Sequence, residues 1–133
     1  MSDFPDLNPN DFKVLLPADV ELQLRYLSRK ISEAQKENAE IEMSYSKAKA
    51  DYEVKMARSR IKYASLSKPG GKNYTVDERE DNALIDNEEA FVALAIEEAK
   101  VKASRGLINS INTQTDIVRS VSTSVRASMA VDR

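Results

Sequence analysis

Apolar residues in the first half of the chain recur every three or four positions, without a proline or glycine from Ala18 to Leu66. This spacing is typical of a coiled-coil seam, and it places Asn38 at a core position. Beyond Tyr52 the spacing shifts through Met56, as a four-residue insertion would cause, and it resumes at Tyr63 and Leu66. The pattern predicts one helix over about 18–66, roughly 70 Å long at 1.5 Å per residue. Its seam positions before the shift are Leu24, Leu27, Ile31, Ala34, Ile41, Tyr45, Ala48 and Tyr52.

Residues 67–75 contain one proline and two adjacent glycines, so they predict a turn that reverses the chain. Thr75 followed by Glu78 fits a capping box and predicts a short helix over about 76–85. The segment Asp86-Asn87-Glu88-Glu89 repeats the capping pattern, which indicates a break before a long helix over about 87–129. That helix has small or hydroxylated residues at intervening core positions (Ser104, Thr115, Ser122), and Gly106 interrupts it. Its apolar seam comprises Val101, Ile108, Ile111, Val118, Val125 and Met129.

Residues 1–17 form an N-terminal arm that carries three of the four prolines. Proline spacing prevents one continuous helix here. The arm is nevertheless rich in apolar side chains, which would remain in water if the arm packed on nothing. Two interpretations stay open: the arm packs on the helices of its own chain, or it docks on a neighbouring subunit. The apolar residues concerned are Phe4, Leu7, Phe12, Val14, Leu15 and Leu16.

The fold class predicted from these segments is all-α: a long antiparallel helical hairpin domain over 18–133, preceded by the arm. The chain has 133 residues with only 3 Gly and 4 Pro, too few turn residues for a β-sandwich. Its apolar content is thin for a compact core of this size. We therefore expect the helices to complete their burial against other subunits, in a homo-oligomer.

Histidine and cysteine are both absent from the sequence. Their absence removes imidazole chemistry, thiol nucleophiles and thiolate metal sites, so we expect neither an enzyme nor a cofactor. No stretch approaches the 18 to 20 apolar residues of a membrane span, and the acidic N-terminus is unlike a signal peptide. We expect a soluble, cytoplasmic protein that makes no membrane contact.

The net charge of −2 conceals strong segregation along the chain. Residues 1–46 carry −4 and residues 47–72 carry +6, whereas residues 73–100 carry −7 and residues 101–133 carry +3. The positive segment, here called the basic block, occupies the end of the first helix and the turn. Its members are Lys47, Lys49, Lys55, Arg58, Arg60, Lys62, Lys68 and Lys72.

The basic block is a candidate single-stranded nucleic-acid surface, because basic side chains neutralise phosphates and aromatic rings stack on unpaired bases. Tyr45, Tyr52, Tyr63 and Tyr74 are interleaved with it. For Tyr45 and Tyr52, which lie on the seam, core packing is the favoured interpretation. Charge runs on long helices are also commonly solvated faces, and the carboxylates from Asp77 to Glu89, here called the acidic block, offer another partner for the same cations.

The acidic block does not fit a metal site, since no histidine accompanies it and no spacing matches a calcium loop. Dipole stabilisation at a helix start and charge balance explain these carboxylates more simply. The Pro69-Gly70-Gly71-Lys72 segment also lacks the phosphate-loop pattern. The sequence therefore contains no recognisable active site.

Several short motifs appear in a distinctive order. Ala57-Arg58 and Tyr63 lie on a long helix, Gly70-Gly71 form a turn, and a short acidic helix leads to a long helix with Ser104-Arg105-Gly106, Ile108 and Ile111. This order resembles the UvsY-type recombination mediator proteins of T-even-like bacteriophages. The resemblance covers roughly residues 45–120.

The resemblance implies a small helical protein that assembles into rings, binds single-stranded DNA and helps a phage recombinase displace the single-strand binding protein in an infected bacterial cell. It also implies that Arg58 contacts DNA, with Lys55, Arg60 and Lys62 as neighbours, and that Ser104-Arg105-Gly106 packs the hairpin. The alternative hypothesis is a structural coiled-coil scaffold or assembly protein that binds no nucleic acid, in which basic and acidic blocks meet between subunits.

Overall fold

A computed structural model of the protein describes residues 17–131. The secondary-structure elements of this part are three α-helices. The helices are α1 (Pro17–Ser65), α2 (Val76–Asp86) and α3 (Glu88–Val131). The three helices and the absence of a strand among the described residues confirm the all-α prediction. The two interpretations of the apolar arm concern residues that lie outside the described part, apart from Pro17, which is the first residue of α1. Within residues 17–131, no helix is both long enough and apolar enough to cross a membrane.

Helix α1 is uninterrupted because its sequence contains neither a glycine nor an internal proline. Its only proline, Pro17, occupies the first turn, where the missing N–H costs nothing. The helix ends at Ser65, whose hydroxyl donates to the carbonyl oxygens of Ile61 and Lys62 at 3.3 and 3.0 Å. The sequence predicts that this helix ends at Leu66, which is 43% exposed and contributes little to the seam.

The turn after α1 depends on two glycines with positive φ, 102° at Gly70 and 84° at Gly71. Side chains with a Cβ rarely adopt this conformation, so glycine is required at both positions. Ser67 and Asn73 form an isolated antiparallel bridge, and the Lys68 amide donates to the Lys72 carbonyl at 2.7 Å. The turn is therefore tight and internally hydrogen-bonded.

Helix α2 begins with the capping box that the sequence predicts. The Glu78 amide donates to the Thr75 hydroxyl at 3.2 Å, and the Thr75 amide donates to the Glu78 carboxylate at 3.1 Å. These reciprocal bonds satisfy two amides that a helix start otherwise leaves unpaired.

The predicted second cap at Asp86 does not form. Asn87 alone separates α2 from α3: its amide donates to Ala83 O at 3.1 Å, and its carbonyl accepts from the Phe91 amide at 2.9 Å. The Asp86 carboxylate instead accepts a hydrogen bond from the Tyr63 hydroxyl on α1. The Asp86 side chain therefore makes a tertiary contact with α1, although the local sequence pattern predicts that it caps α3.

The described residues divide into two compact units. The first comprises residues 17–38 of α1 and residues 104–131 of α3. The two segments run antiparallel, since residues near Pro17 lie beside Val125 while Ile31 lies near Asn112. Their core consists of Val20, Leu27, Ala34, Ile111 and Val118. Ser104 is also buried, whereas Gly106 is exposed, and a Cβ at this position would contact nothing beyond the adjacent residues and backbone of its own helix. Gly106 therefore lies on the surface of α3, outside the contact between the two segments.

The second unit comprises residues 39–103, with α2 and the turn inside it. Its buried apolar residues are Met56, Ala83, Ala90 and Val101. Asn87 connects its helices, because the side-chain amide donates to Ser59 Oγ and to Ala83 O, both at 2.8 Å. Met56, where the heptad spacing shifts, is 4% exposed and lies 3.8 Å from the same amide nitrogen. Met56, where the spacing shifts, therefore lies in the buried interior of this unit.

Candidate nucleic-acid interface

The basic residues of α1 lie on two different sides of the helix. Lys47 and Arg58 are eleven residues apart, close to three turns, so they point in nearly the same direction. Lys55 and Lys62 lie on the same side, within about 80° of Lys47 around the helix axis. Lys49 and Arg60 lie on the far side, so the predicted basic residues do not form one surface. Lys68 and Lys72 belong to the turn.

Four members of the basic block form ion pairs within the second unit. Arg60 donates to both carboxylate oxygens of Glu80, at 2.6 and 3.2 Å. Lys62 lies 3.6 Å from Asp86, and Lys68 contacts Glu78. Lys55 pairs with Asp51 one turn earlier in α1, at 3.1 Å. The acidic block thus neutralises three cations across the helical hairpin, as one interpretation of the sequence anticipated.

The remaining four members are exposed and have no ion-pair partner among residues 17–131. They are Lys47, Lys49, Arg58 and Lys72. Arg58 and Lys47 share one side of α1, whereas Lys72 lies in the turn. These four residues are the part of the basic block that is available to an anion without first breaking a contact.

The ion pairs change the protonation behaviour of the groups beside them. The Arg60 pKa is raised chiefly by its hydrogen bond to Glu80. The Tyr63 pKa is raised, because its hydroxyl donates to Asp86 at 2.6 Å. The Glu78 pKa is lowered by its contact with Lys68 and by the Thr75 amide. At neutral pH these contacts favour the charged forms of Arg60 and Glu78 and the neutral form of Tyr63.

The tyrosines near the basic block are engaged in packing. Tyr52 lies against Phe91 with ring centroids 6.0 Å apart, and Tyr63 meets Tyr74 edge to face at 5.4 Å. The Lys62 and Lys68 ammonium groups lie 5.1 and 6.0 Å from the Tyr63 and Tyr74 ring centroids. Tyr45 is half-buried on the inner side of α1. Base stacking on Tyr52, Tyr63 or Tyr74 would have to displace one of these contacts.

The sequence did not identify which carboxylate meets which cation, nor the role of Asn87. Charge segregation signals that the blocks attract each other, but the individual pairs depend on the orientation of α2 across α1. The sequence shows Asn87 only as part of a capping pattern. The hydrogen bonds from its side-chain amide to α1 hold the junction between α2 and α3 in place. No group of three or more metal-ligating side chains occurs in the described part of the chain.

Comparison with known proteins adds no family assignment. No protein-family model matches the sequence, and neither a curated protein nor a solved structure is significantly similar to it. The UvsY-type resemblance therefore rests on the motif order alone, and the functional argument rests on the chain's own residues.

Proposed function

We propose that the protein is a single-stranded DNA-binding recombination mediator, which helps to load a RecA-like recombinase onto strands covered by single-strand binding protein. It works without catalysis, as a homo-oligomer in an infected bacterial cell. The choice of single-stranded DNA and of these protein partners follows the motif resemblance. The chemistry of binding follows the basic block.

The observation that carries the proposal is that four members of the basic block form no ion pair among residues 17–131: Lys47, Lys49, Arg58 and Lys72. An exposed cation without a carboxylate partner loses only water and counterions when it meets a phosphate, and counterion release favours binding. Several copies of this set in one oligomer would convert weak individual contacts into avid binding. Lys47 and Arg58 contribute most directly, since they share one side of α1.

The four existing ion pairs do not prevent this function. Their side chains are all at least 28% exposed; those of Arg60 and Glu80, for example, are 50% and 47% exposed. Exposed pairs of this type are worth about 0–1 kcal/mol, so phosphate can compete with the carboxylate for the cation. The paired residues are therefore a second, more weakly available group of phosphate contacts.

A second candidate function, a structural helical assembly protein, is favoured by apolar residues on the outer sides of the helices. On α1, Met43, Val54 and Ile61 are 62%, 49% and 70% exposed and follow heptad spacing together with Ala50 and Ala57. On α3, Val92 and Ile96 are 48% and 52% exposed. Such surfaces mark protein–protein contacts. In the mediator the α3 residues would join subunits of the ring, because Val54 lies within about 20° of Lys47 around α1 and a subunit packed there would cover the cations. In the alternative, joining subunits through both helices is the whole function.

The deciding experiment measures binding of a fluorescent oligo-dT strand by anisotropy across a salt series, with a duplex of equal length for comparison. We expect tighter binding of the single strand and a steep loss of affinity with salt. Lys47→Ala combined with Arg58→Ala should weaken binding and make the salt slope shallower by about 0.7 for each phosphate contact removed.

The matched control is Arg119→Ala combined with Arg126→Ala. It removes two exposed positive charges from the first unit, and neither residue forms an ion pair among residues 17–131. The control should bind nearly as well as the unmodified protein. Equal losses in the two double variants would show that net charge alone governs binding, and an absence of oligo-dT binding by the unmodified protein would leave the assembly function.

A further inference from the structure

A stripe of exposed, uncharged residues runs along the part of α3 that belongs to the second unit. Its members are four, three and four residues apart, which keeps them on one side of the helix. They are Val92, Ile96, Ala99 and Ala103, here called the α3 stripe. Val92 and Ile96 are 48% and 52% exposed, whereas Ala90 and Val101, on the opposite side of α3, are buried. The α3 stripe therefore lies outside the core of the second unit.

Charged residues border the α3 stripe on both edges, and their sign changes along the helix. Glu88 and Glu89 stand at its beginning, while Lys100 and Lys102 stand three to four turns later. At 100° per residue, Glu88 and Lys102 lie on one edge, and Glu89 and Lys100 lie on the other. Each edge therefore has a negative end and a positive end.

Contacts within the described part of the chain leave most of these charges available. Glu88, Glu89 and Lys102 form no ion pair with another described residue. Lys100 lies 3.4 Å from Glu97, but its side chain is 56% exposed, and exposed pairs of this kind are weak. An opposite charge from another molecule can therefore approach either edge.

We propose that the α3 stripe packs against the same stripe of a second copy of this chain, with the two helices antiparallel and related by a two-fold axis. In a two-fold contact, residue i meets residue j while j meets i, so the helix must be complementary to itself. Antiparallel pairing meets this requirement, because it brings the glutamates of each copy to the lysines of the other. Parallel pairing would instead bring like charges to the same level.

Three separate pairs of residues define the same register. Glu88 opposite Lys102 places the two-fold axis at residue 95, and the charged pair on the other edge places it between residues 94 and 95. Val92 opposite Ile96 places it at residue 94. These positions agree within one residue, about 1.5 Å along the helix. The apolar residues of the stripe provide the affinity of the contact, and the charges on its edges fix the register.

A second copy is favoured over an unrelated partner because one helix supplies both halves of every pair. The contact deepens the homo-oligomer of the proposed function and rests on that part of it alone. Nucleic-acid binding is not required. The test below therefore contains no DNA, and its failure would leave the binding of oligo-dT to be judged separately.

The test uses single cysteines, since the chain contains none of its own. Ala95→Cys lies beside the two-fold axis, so its two copies should be within about 3 Å of each other along the helices. The matched control is Ala99→Cys, another exposed alanine on the same side of α3, whose two copies would be about 12–15 Å apart along the helices. We expect mild oxidation of the full-length protein to link Ala95→Cys into disulfide dimers at least roughly tenfold faster, because a disulfide needs Cβ atoms about 4 Å apart.

Non-reducing electrophoresis measures both rates. Equal rates, or a faster control, would overturn the proposal. Fast reaction of both variants would mean that the helices pair in parallel. Slow reaction of both would mean that the α3 stripe does not meet a second copy, as when it binds a different protein.

Charge reversal provides an independent check of the register. Lys102→Glu places a carboxylate opposite Glu88 of the second copy and should weaken self-association at low salt by at least about fivefold. Adding Glu88→Lys exchanges the signs along that edge and should restore the association. Sedimentation equilibrium measures both effects, and a double variant that stays as weak as Lys102→Glu alone would contradict the antiparallel pairing.

Discussion

The eight members of the basic block carry the same charge, yet their surroundings make them unequal as anion ligands. Arg60 holds Glu80 in a two-pronged hydrogen bond, while Arg58, two residues earlier, has no ion pair among the described residues. A phosphate reaching Arg58 displaces solvent alone. A phosphate reaching Arg60 must also release a carboxylate, so the two arginines differ in availability although they are close in sequence.

This difference yields a prediction for Glu80→Gln. Glutamine keeps the size of the side chain but removes the charge that competes with phosphate for Arg60. We expect the affinity for oligo-dT to rise by up to about fivefold, since an exposed ion pair is worth at most about 1 kcal/mol. Anisotropy titration at low and moderate salt measures the change.

The control for Glu80→Gln is Glu89→Gln, which removes the same charge from an exposed carboxylate without an ion pair in residues 17–131. Its effect should be smaller than that of Glu80→Gln. If both substitutions raised affinity equally, overall charge rather than release of Arg60 would explain the gain.

Glu78 leads to a prediction about acid stability. Its contacts with Lys68 and the Thr75 amide lower its pKa in the folded protein. A carboxyl group with a depressed folded-state pKa stabilises the fold above its unfolded pKa of about 4.3, and this stabilisation is lost as the pH falls through the lower, folded-state value. Glu78→Gln should therefore lower the melting temperature at pH 7 and have progressively less effect as the pH falls below 4.

Thermal unfolding followed by circular dichroism from pH 7 to pH 3 measures this difference. Glutamine still accepts the Thr75 amide hydrogen bond of the capping box, so the comparison isolates the charge. A difference in melting temperature that stayed constant over this range would show that the Glu78 charge contributes nothing.

At the scale of whole elements, two glycines have opposite effects on stability, one because of turn geometry and the other because of helix propensity. Gly71 has a φ of 84°. Gly106 lies within α3, where a Cβ would contact nothing beyond the adjacent residues and backbone of its own helix. Gly71→Ala should destabilise the protein by about 1 kcal/mol or more, because alanine resists positive φ. Gly106→Ala should stabilise it by up to about 1 kcal/mol through helix propensity.

Urea denaturation of both glycine variants measures the two free energies of unfolding side by side. The signs are the informative result, since the chemical change is identical at the two positions. Loss of stability in Gly106→Ala would mean that this exposed surface of α3 is covered by a partner in solution.

The helices could be predicted from the sequence because the residues that mark their ends lie within or next to them. Proline and glycine mark the ends of α1, and Thr75 with Glu78 marks the start of α2 through bonds that span three residues. The Asp86 cap failed for the opposite reason. Its carboxylate accepts a hydrogen bond from Tyr63, a residue 23 positions earlier, and nothing in the local pattern reveals a partner at that distance.

The candidate site was only partly accessible for the same reason. The sequence locates the basic block and the acidic block and shows that they attract each other. It does not reveal that Arg60, Lys62 and Lys68 have partners on or beside α2 while Arg58 does not, because that division depends on how α2 crosses α1. Helical periodicity does separate Arg58 from Arg60, and that step required no tertiary information.

At the scale of the whole molecule, the unpaired charges and the exposed apolar residues support different kinds of association. Apolar contacts between subunits, such as those available to Val92 and Ile96, resist salt, whereas contacts between the charged blocks of different subunits weaken as salt screens them. Phosphate binding weakens with salt as well. The salt response of mass and of DNA binding therefore distinguishes the mediator from an assembly held together by charge.

We expect light scattering to give a mass that is a multiple of the 14.9 kDa chain and that stays constant as salt is raised. Added oligo-dT should increase this mass at low salt, and the increase should disappear at high salt while the protein oligomer persists. This combination means that subunits associate through apolar surfaces and leave the basic block for phosphates. An oligomer that instead dissociates with rising salt and gains no mass from oligo-dT would mean that the charged blocks join subunits, and the protein would then be an assembly component.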